Sequence, residues 1–596
     1  MKTFLIILII FFSSYIFANE VDNNEIEIIN LYENKSLDQM VLENLNNNLE
    51  IEENTNNLNE ANKKEIENNE IQQNQNTEVE INQIEKKENN FIRQLSTSNL
   101  KEYFNNLQNI KSKTLQKEII QVLENSQINT DIDGDKEIFF SIVNYLKFIG
   151  QINKSYELIE RYQLTRDKNF TFYSEVKLNY LLSTFQLNEA CNFKEELNEN
   201  IELNYFFLEK LDIFCLILND NQSEAILLNS ILVESEKNLD NYYQYLFSLI
   251  SNSSDQITYE KEITNSNINK ELIFLYSAMT RIAELPFSQE FYELDKKNLS
   301  IPIILNQSSP IDLRIKAANE SFLENLITVD SLAALYMSAD FNSNQLNNPQ
   351  ETIVSLSDNN ELSMAFLFQL VNIQIFPNDR LNSLLEFWEF AKKNNLEEIA
   401  YKLSINMLGS IEATSENIIY GPQIASAYIF NNNFDTAVDW IELYENAIEI
   451  DSKIIYTRIL LDLYSSNDLN SFINSINLTL NNNFNNKDSE YNELLYVLKS
   501  VMNLDINSNT NINLNKIFDD RSMPSIFLIN EINNSIFNNL EEEFLFYSLI
   551  SLNGKEWKNI HPDHLKLILS GYLKYKDGVL FRSIILEVLK NYNFII

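Results

Sequence analysis

The sequence predicts an all-α protein: an α-α superhelix of paired antiparallel helices behind a disordered, polar N-terminal leader. Three observations predict it. Only 7 Gly and 8 Pro occur in 596 residues, too few for the tight turns of sandwiches and barrels or for Gly-rich phosphate loops, whereas helices joined by polar turns need neither. Apolar residues make up 44% of the chain, enough for a continuous core. Apolar helical segments also recur at a fixed spacing, with a small residue at the same place in each.

The N-terminus opens with Lys2, the unbroken apolar run Phe4–Phe12, then Ser13, Ser14 and Ala18. That order of charge, apolar core and small residue is the order of a secretory signal peptide, so residues 1–18 are expected to be removed on export. The run falls short of the about 20 apolar residues a bilayer-spanning helix needs. No Cys follows it to carry a lipid, and no later segment has the length and apolarity to span a membrane. Residues 19–94 are biased toward Asn, Glu and Gln, as in the stretch Asn62–Phe91. Such a segment buries too little apolar surface to offset its ordering entropy and reads as an acidic, disordered linker.

The repeat begins after it. Ser155, Ala190 and Ala225 stand 35 residues apart, since 190 − 155 = 225 − 190 = 35. Leu146, Leu181 and Leu216 precede them at equal distance, and Leu158, Phe193 and Leu228 follow. Polar turns at 151–154, 186–189 and 220–224 separate the apolar stretches. Each unit is therefore a helix, a turn and a second helix that starts near a small residue, which lets two antiparallel helices approach closely. Asn394–Ala400 is echoed by Asn432–Val438, and Ala427–Ala447 reads as one more helix-turn-helix. Phe287–Pro310, punctuated by Pro286, Pro302 and Pro310, reads as a break, with Ser309-Pro310 as an N-cap and first-turn proline. It divides an N-terminal helical-repeat domain (95–290) from a C-terminal one (310–596).

The spacing of these units resembles the tetratricopeptide class of helix-turn-helix repeats, whose period is about 34. The resemblance spans roughly residues 145–235, with the Gly that usually precedes the second helix kept only as Gly150. It implies a TPR-like solenoid with a long concave surface suited to proteins or extended peptides. Leu313–Ala318 and Leu332–Tyr336 carry a fainter similarity to uncharacterised exported helical proteins of alphaproteobacteria, which implies a cell-envelope setting.

Charge narrows the partners. Asp and Glu number 86 against 45 Lys and Arg. Loss of Lys2 with the signal takes the net charge of the whole chain from −41 to −42. A field of that sign repels phosphate backbones and anionic lipid, so nucleic acid is excluded and an envelope protein or peptide is the expected partner, a basic one being the alternative reading of the acidity. The plain reading of the acidity is solubility.

Candidate chemistry is sparse. Cys191 and Cys215 lie in adjacent units; export permits a disulfide between them, the alternative being two buried thiols that pack as small apolar groups. His561 and His564 share a helix face with Asp563 between them, yet a zinc site needs three or four ligands, and Pro562 reads as a helix start. Asp131–Asp135 has the look of a calcium loop, but Gly134 falls at the wrong position and a polar turn before a helix is favoured. Glu320-Ser321 matches a transglycosylase pair superficially, inside a helix. Glu541–Glu543 is a charge run, and Trp388, Trp440 and Trp557 sit at core spacing. No catalytic, cofactor or metal residue is assigned. The expected function is an exported interaction or scaffold module of the bacterial cell envelope, in the periplasm or beyond. The alternative is an enzyme acting on peptidoglycan or polysaccharide through a carboxylate site that the sequence does not mark.

Overall fold

The computed structural model describes residues 97–592, apart from 127, 129–131, 163–166, 198–204, 237–238, 252–267, 450, 466–470, 473, 475–488, 504–518 and 522. The signal segment (1–18) and the leader (19–94) lie outside the described residues. Within them there are 28 α-helices and no strand. The first fourteen are α1 (Thr97–Leu107), α2 (Lys113–Glu124), α3 (Asp133–Phe148), α4 (Ile152–Tyr162), α5 (Phe170–Ser183), α6 (Leu187–Glu196), α7 (Tyr205–Leu218), α8 (Gln222–Ser235), α9 (Asn241–Ile250), α10 (Ile273–Ile282), α11 (Gln289–Leu294), α12 (Lys296–Leu305), α13 (Ile311–Leu323) and α14 (Val329–Met337). The rest are α15 (Ser343–Asn347), α16 (Pro349–Ser355), α17 (Asn360–Ile373), α18 (Pro377–Lys393), α19 (Glu397–Leu403), α20 (Ile405–Leu408), α21 (Gly421–Phe430), α22 (Phe434–Ala447), α23 (Ser452–Ser465), α24 (Ser489–Val501), α25 (Ile526–Phe537), α26 (Glu541–Leu552), α27 (Pro562–Lys574) and α28 (Val579–Asn591).

One turn geometry builds most of the hairpins. Gly150, Phe185 and Asp220, again 35 residues apart, all have left-handed φ (88°, 64° and 61°). The residue after each donates its N–H to the carbonyl five residues earlier: Gln151 to Leu146, Gln186 to Leu181 and Asn221 to Leu216, each at 2.8 Å. This is the Schellman closure of a helix C-terminus. The same pair of features recurs at Glu284, Asn325, Asn395, Asn432 and Asn539. Five residues after the left-handed position stand Ser155, Ala190, Ala225, Ala400 and Ala437, all 0% exposed. A side chain smaller than its neighbours is needed there because the second helix crosses close to the first. The echo between the later hairpins therefore pairs Asn395 with Asn432, one residue off the register read from sequence.

The second helix of each unit meets the first helix of the next at a constant step. Tyr156 of α4 stacks on Tyr180 of α5 with ring centroids 4.0 Å apart. At the equivalent positions one unit on, Cys191 of α6 is joined to Cys215 of α7. An aromatic pair and a sulfur pair thus occupy the same inter-repeat contact.

The stretch 287–310 is helical where a break was expected. It forms α11 and α12, with Pro302 inside α12 and Leu299, Ile303 and Ile304 wholly buried. Ser309 does not cap the next helix through its hydroxyl; its Oγ accepts from Phe287 N at 2.9 Å, and α13 starts at Ile311. Burial explains the difference: the proline lacks an N–H, but the apolar residues around it hold the helix in place. Helix α12 packs on both α5 and α13, and the turn at Gly150 lies against Lys297.

The helix contacts run in a circuit. The path goes from α1 and α3 through the three repeats to α10, α12 and α13, onward by α17, α18, α19, α21 and α23 to α28. Helix α28 then packs on α2, and α26 on α1. One core extends from Leu100 to Leu589. Among the described residues the last helices of the superhelix thus pack back on the first.

Candidate functional site

Cys191 and Cys215 are the residues the fold brings together most directly. Their Cα atoms are 5.8 Å apart, inside the range a disulfide spans, and both side chains are buried. The bond ties α6 to α7, two helices of successive units.

The other sequence candidates resolve into structural roles. His561 caps α27: its Nδ1 accepts from Asp563 N at 3.2 Å, with Pro562 in the first turn as read. His564 points inward, its Nε2 2.9 Å from Ser551 Oγ. Burial, then Lys555 and His561, push its imidazole down to about 4. The two histidines do not converge, and no group of three or more metal-binding side chains occurs among the described residues. Asp133 and Asp135 open α3 in its first turn, while Asp131 lies outside the described residues. Glu320 accepts from Tyr292 Oη at 2.5 Å. Burial and that carboxylate hold the Tyr292 phenol well above its ordinary pKa. Ser321, next to Glu320 in α13, is buried. All three Trp are buried; Trp388 Nε1 donates to Ser404 Oγ at 2.9 Å and Trp557 Nε1 to Glu587 Oε2 at 3.2 Å. Glu541–Glu543 form the first turn of α26, where acidic groups suit the helix dipole.

A charged centre that sequence reasoning missed lies between α7, α9 and α10. Lys210 has 2% of its side chain exposed, with Nζ 2.7 Å from Glu236 Oε1 and 2.8 Å from Asp240 Oδ2. Tyr276 Oη donates to Asp240 Oδ2 at 2.6 Å, and Asp240 Oδ1 caps α9 by accepting from Tyr243 N. The Tyr243 ring lies 5.1 Å from Nζ. Burial and the nearby Asp240 push both phenols up, so they stay protonated donors. Asp240 has both oxygens engaged, whereas Glu236 meets Lys210 through Oε1 alone and its buried Oε2 has no hydrogen-bond partner among the described residues, so the two carboxylates share one ammonium at some desolvation cost. A lone lysine in the apolar run Tyr205–Leu218 was the available signal.

A cleft of about 270 Å³ beside α13 is lined by Phe287, Gln289, Asp312, Lys316 and Glu361. Both Asp312 oxygens are already engaged, Oδ1 by Leu313 N and Oδ2 by Asn359 Nδ2. The turn between α17 and α18 is different in kind. It exposes Ile375 by 81% and Phe376 by 70%. It is nonetheless held firmly: Arg380 donates from Nε and Nη2 to the Gln374 carbonyl (3.0 and 2.6 Å) and from Nη1 to Ser410 Oγ (2.7 Å).

Compared with protein-family models, curated proteins and solved structures, the chain matches none. Functional inference therefore rests on its own residues. No helix among those described is long and apolar enough to cross a membrane.

Proposed function

We propose that this chain is an exported, TPR-like helical-repeat protein that acts by binding, as an interaction or scaffold module of the bacterial cell envelope. The observation that carries the binding role is the α17–α18 turn. Two bulky apolar side chains presented to solvent on a backbone fixed by one arginine form a preorganised anchor, and such anchors dominate the energy of protein interfaces. The acidic surface adds a preference for a basic partner. Export is supported by the order of residues 1–18 and by the Cys191–Cys215 bond, because disulfides persist in oxidising compartments.

Cell fractionation and site-specific photo-cross-linking from position 376 test the proposal together. We expect a mature chain lacking residues 1–18 in the envelope fraction, and one discrete cross-linked adduct that Ile375→Asp abolishes. A cytoplasmic chain with an intact N-terminus would overturn the address. Clearing of cell-wall glycan in a zymogram by the purified mature protein would overturn the binding role in favour of the enzyme.

A further inference from the structure

The three repeats supply an internal comparison for the outward face of α8. In register, Leu227 corresponds to Glu157 of α4 and Asn192 of α6, and Ile231 corresponds to Arg161 and Glu196. Arg161, Asn192 and Glu196 are exposed, as a solvated helix face requires. The third unit breaks the pattern: Leu227 is 59%, Ile231 54% and Ile226 42% exposed. Leu227 and Ile231 are one turn apart, so they form a continuous stripe. The buried side of the same helix, Ala225, Asn229 and Leu232, packs inward. Amide-to-amide hydrogen bonds between Asn229 and Gln244 at 2.8 and 3.0 Å fix how α8 sits on α9. The apolar stripe is thus held in place and left uncovered by any described helix.

We propose that this face docks a cationic amphipathic helix of a partner protein, its Leu/Ile stripe on Leu227 and Ile231 and its Lys/Arg flanks on the surrounding acids. Charge selects this occupant. Glu224 and Glu234 stand about one turn before and after the stripe, and α8 contains no Lys or Arg. The preceding second helix presents Glu195 and Glu196 on the exposed side. A second copy of the chain, at −41, would bring like charge to the same face and is repelled. The proposal rests on the binding reading above but needs neither export nor the Ile375–Phe376 turn.

The test uses the full mature chain and two designed helical peptides, one with a leucine stripe flanked by lysines and one with the same stripe flanked by glutamates. Binding is read by fluorescence anisotropy. We expect the lysine peptide to bind, the glutamate peptide not to, and L227N/I231E, which restores the residues of α6, to weaken binding at least tenfold. That variant adds a negative charge, so attraction by acidity alone predicts equal or tighter binding, and either result overturns the proposal. So does a wild-type dimer in sedimentation that the variant dissolves, which would make a second copy the occupant. Added lysine peptide should also slow hydrogen exchange across Gln222–Ser235, a readout independent of any variant; unchanged exchange there overturns it. A negative result at α8 leaves the cross-link from position 376 as it was, so the two readings fail separately.

Discussion

Ser112 and Glu587 lie 475 residues apart in sequence and are hydrogen-bonded, Ser112 Oγ to Glu587 Oε2 at 2.5 Å. The other carboxylate oxygen accepts from Thr114 N at 2.6 Å, so Glu587 holds the start of α2 from α28. The grip is reciprocal. Glu118 of α2 accepts from Tyr575 Oη at 2.8 Å and pairs with Lys576 Nζ at 2.6 Å. Each end of the chain thus contributes one buried or half-buried carboxylate that holds the other end.

Glu587→Ala leaves the Thr114 N–H and the Trp557 indole N–H without their acceptor. The expected cost is roughly 1.5–3 kcal/mol, the range for hydrogen bonds to charged groups. Hydrogen exchange should quicken selectively in α1 and α2, with α13 unchanged. Uniform acceleration across all helices would show that the contact does not specifically close the circuit.

Replacing Cys191 and Cys215 together by Ser removes a cross-link over a sequence separation of 24 residues. A loop of that size corresponds to about 3 kcal/mol, read as a lower urea midpoint. The native mature protein should show no titratable thiol until it is unfolded and reduced; two reactive thiols in native, unreduced protein would contradict the bond.

His564 makes stability pH-dependent. Its ordinary pKa of 6.5 is depressed to about 4 in the fold, so between these values the unfolded chain binds the extra proton. Its contribution is complete above about pH 6.5 and is lost as pH falls toward 4, by up to roughly 3 kcal/mol. His564→Gln, which can keep a hydrogen bond to Ser551, should flatten the difference in unfolding free energy between pH 7 and pH 4.5. Equal slopes in wild type and variant would assign the loss to carboxylates instead.

The left-handed turns differ in strain. Glu284 is exposed at φ 53°, a conformation costing a non-glycine residue about 1 kcal/mol. Glu284→Gly should therefore stabilise the chain by roughly 0.5–1 kcal/mol. Gly150→Ala should destabilise it by about 1–3 kcal/mol, because its new Cβ would lie 2.4 Å from Lys297 Cβ at φ +88°. Thermal melting of the two variants should shift in opposite directions.

The repeat was legible because it is local. Ser155, Ala190 and Ala225 mark positions that contact residues within the same hairpin, and the buried small side chain confirms their role. The turns were harder to read, since the left-handed position that glycine usually marks is taken here by Asn, Asp, Glu and Phe. Asn tolerates that conformation best among side-chain-bearing residues, which is how a chain with 7 Gly builds these hairpins. The role of Pro302 was misread because prolines signal loops only where no packing compensates them. The closure of α28 on α2 left no trace at all: its determinants are single carboxylates far apart in a chain rich in carboxylates. Lys210 was visible as an anomaly in an apolar helix, but its partners at Glu236 and Asp240 belong to later elements.

Joining the ends also changes how the array can come apart. In a linear stack of repeats the outermost units have one neighbour each, fray first and need polar capping units. In a circuit every unit has two neighbours, and none is outermost. Unravelling must then start with a breach whose site is set by the weakest seam, and the seam at Ser112 and Glu587, 475 residues apart, carries the largest loop-closure entropy of the hydrogen bonds described. A linear stack melts by degrees from its tips; this one should hold its full circumference until the breach and then lose it in one cooperative step.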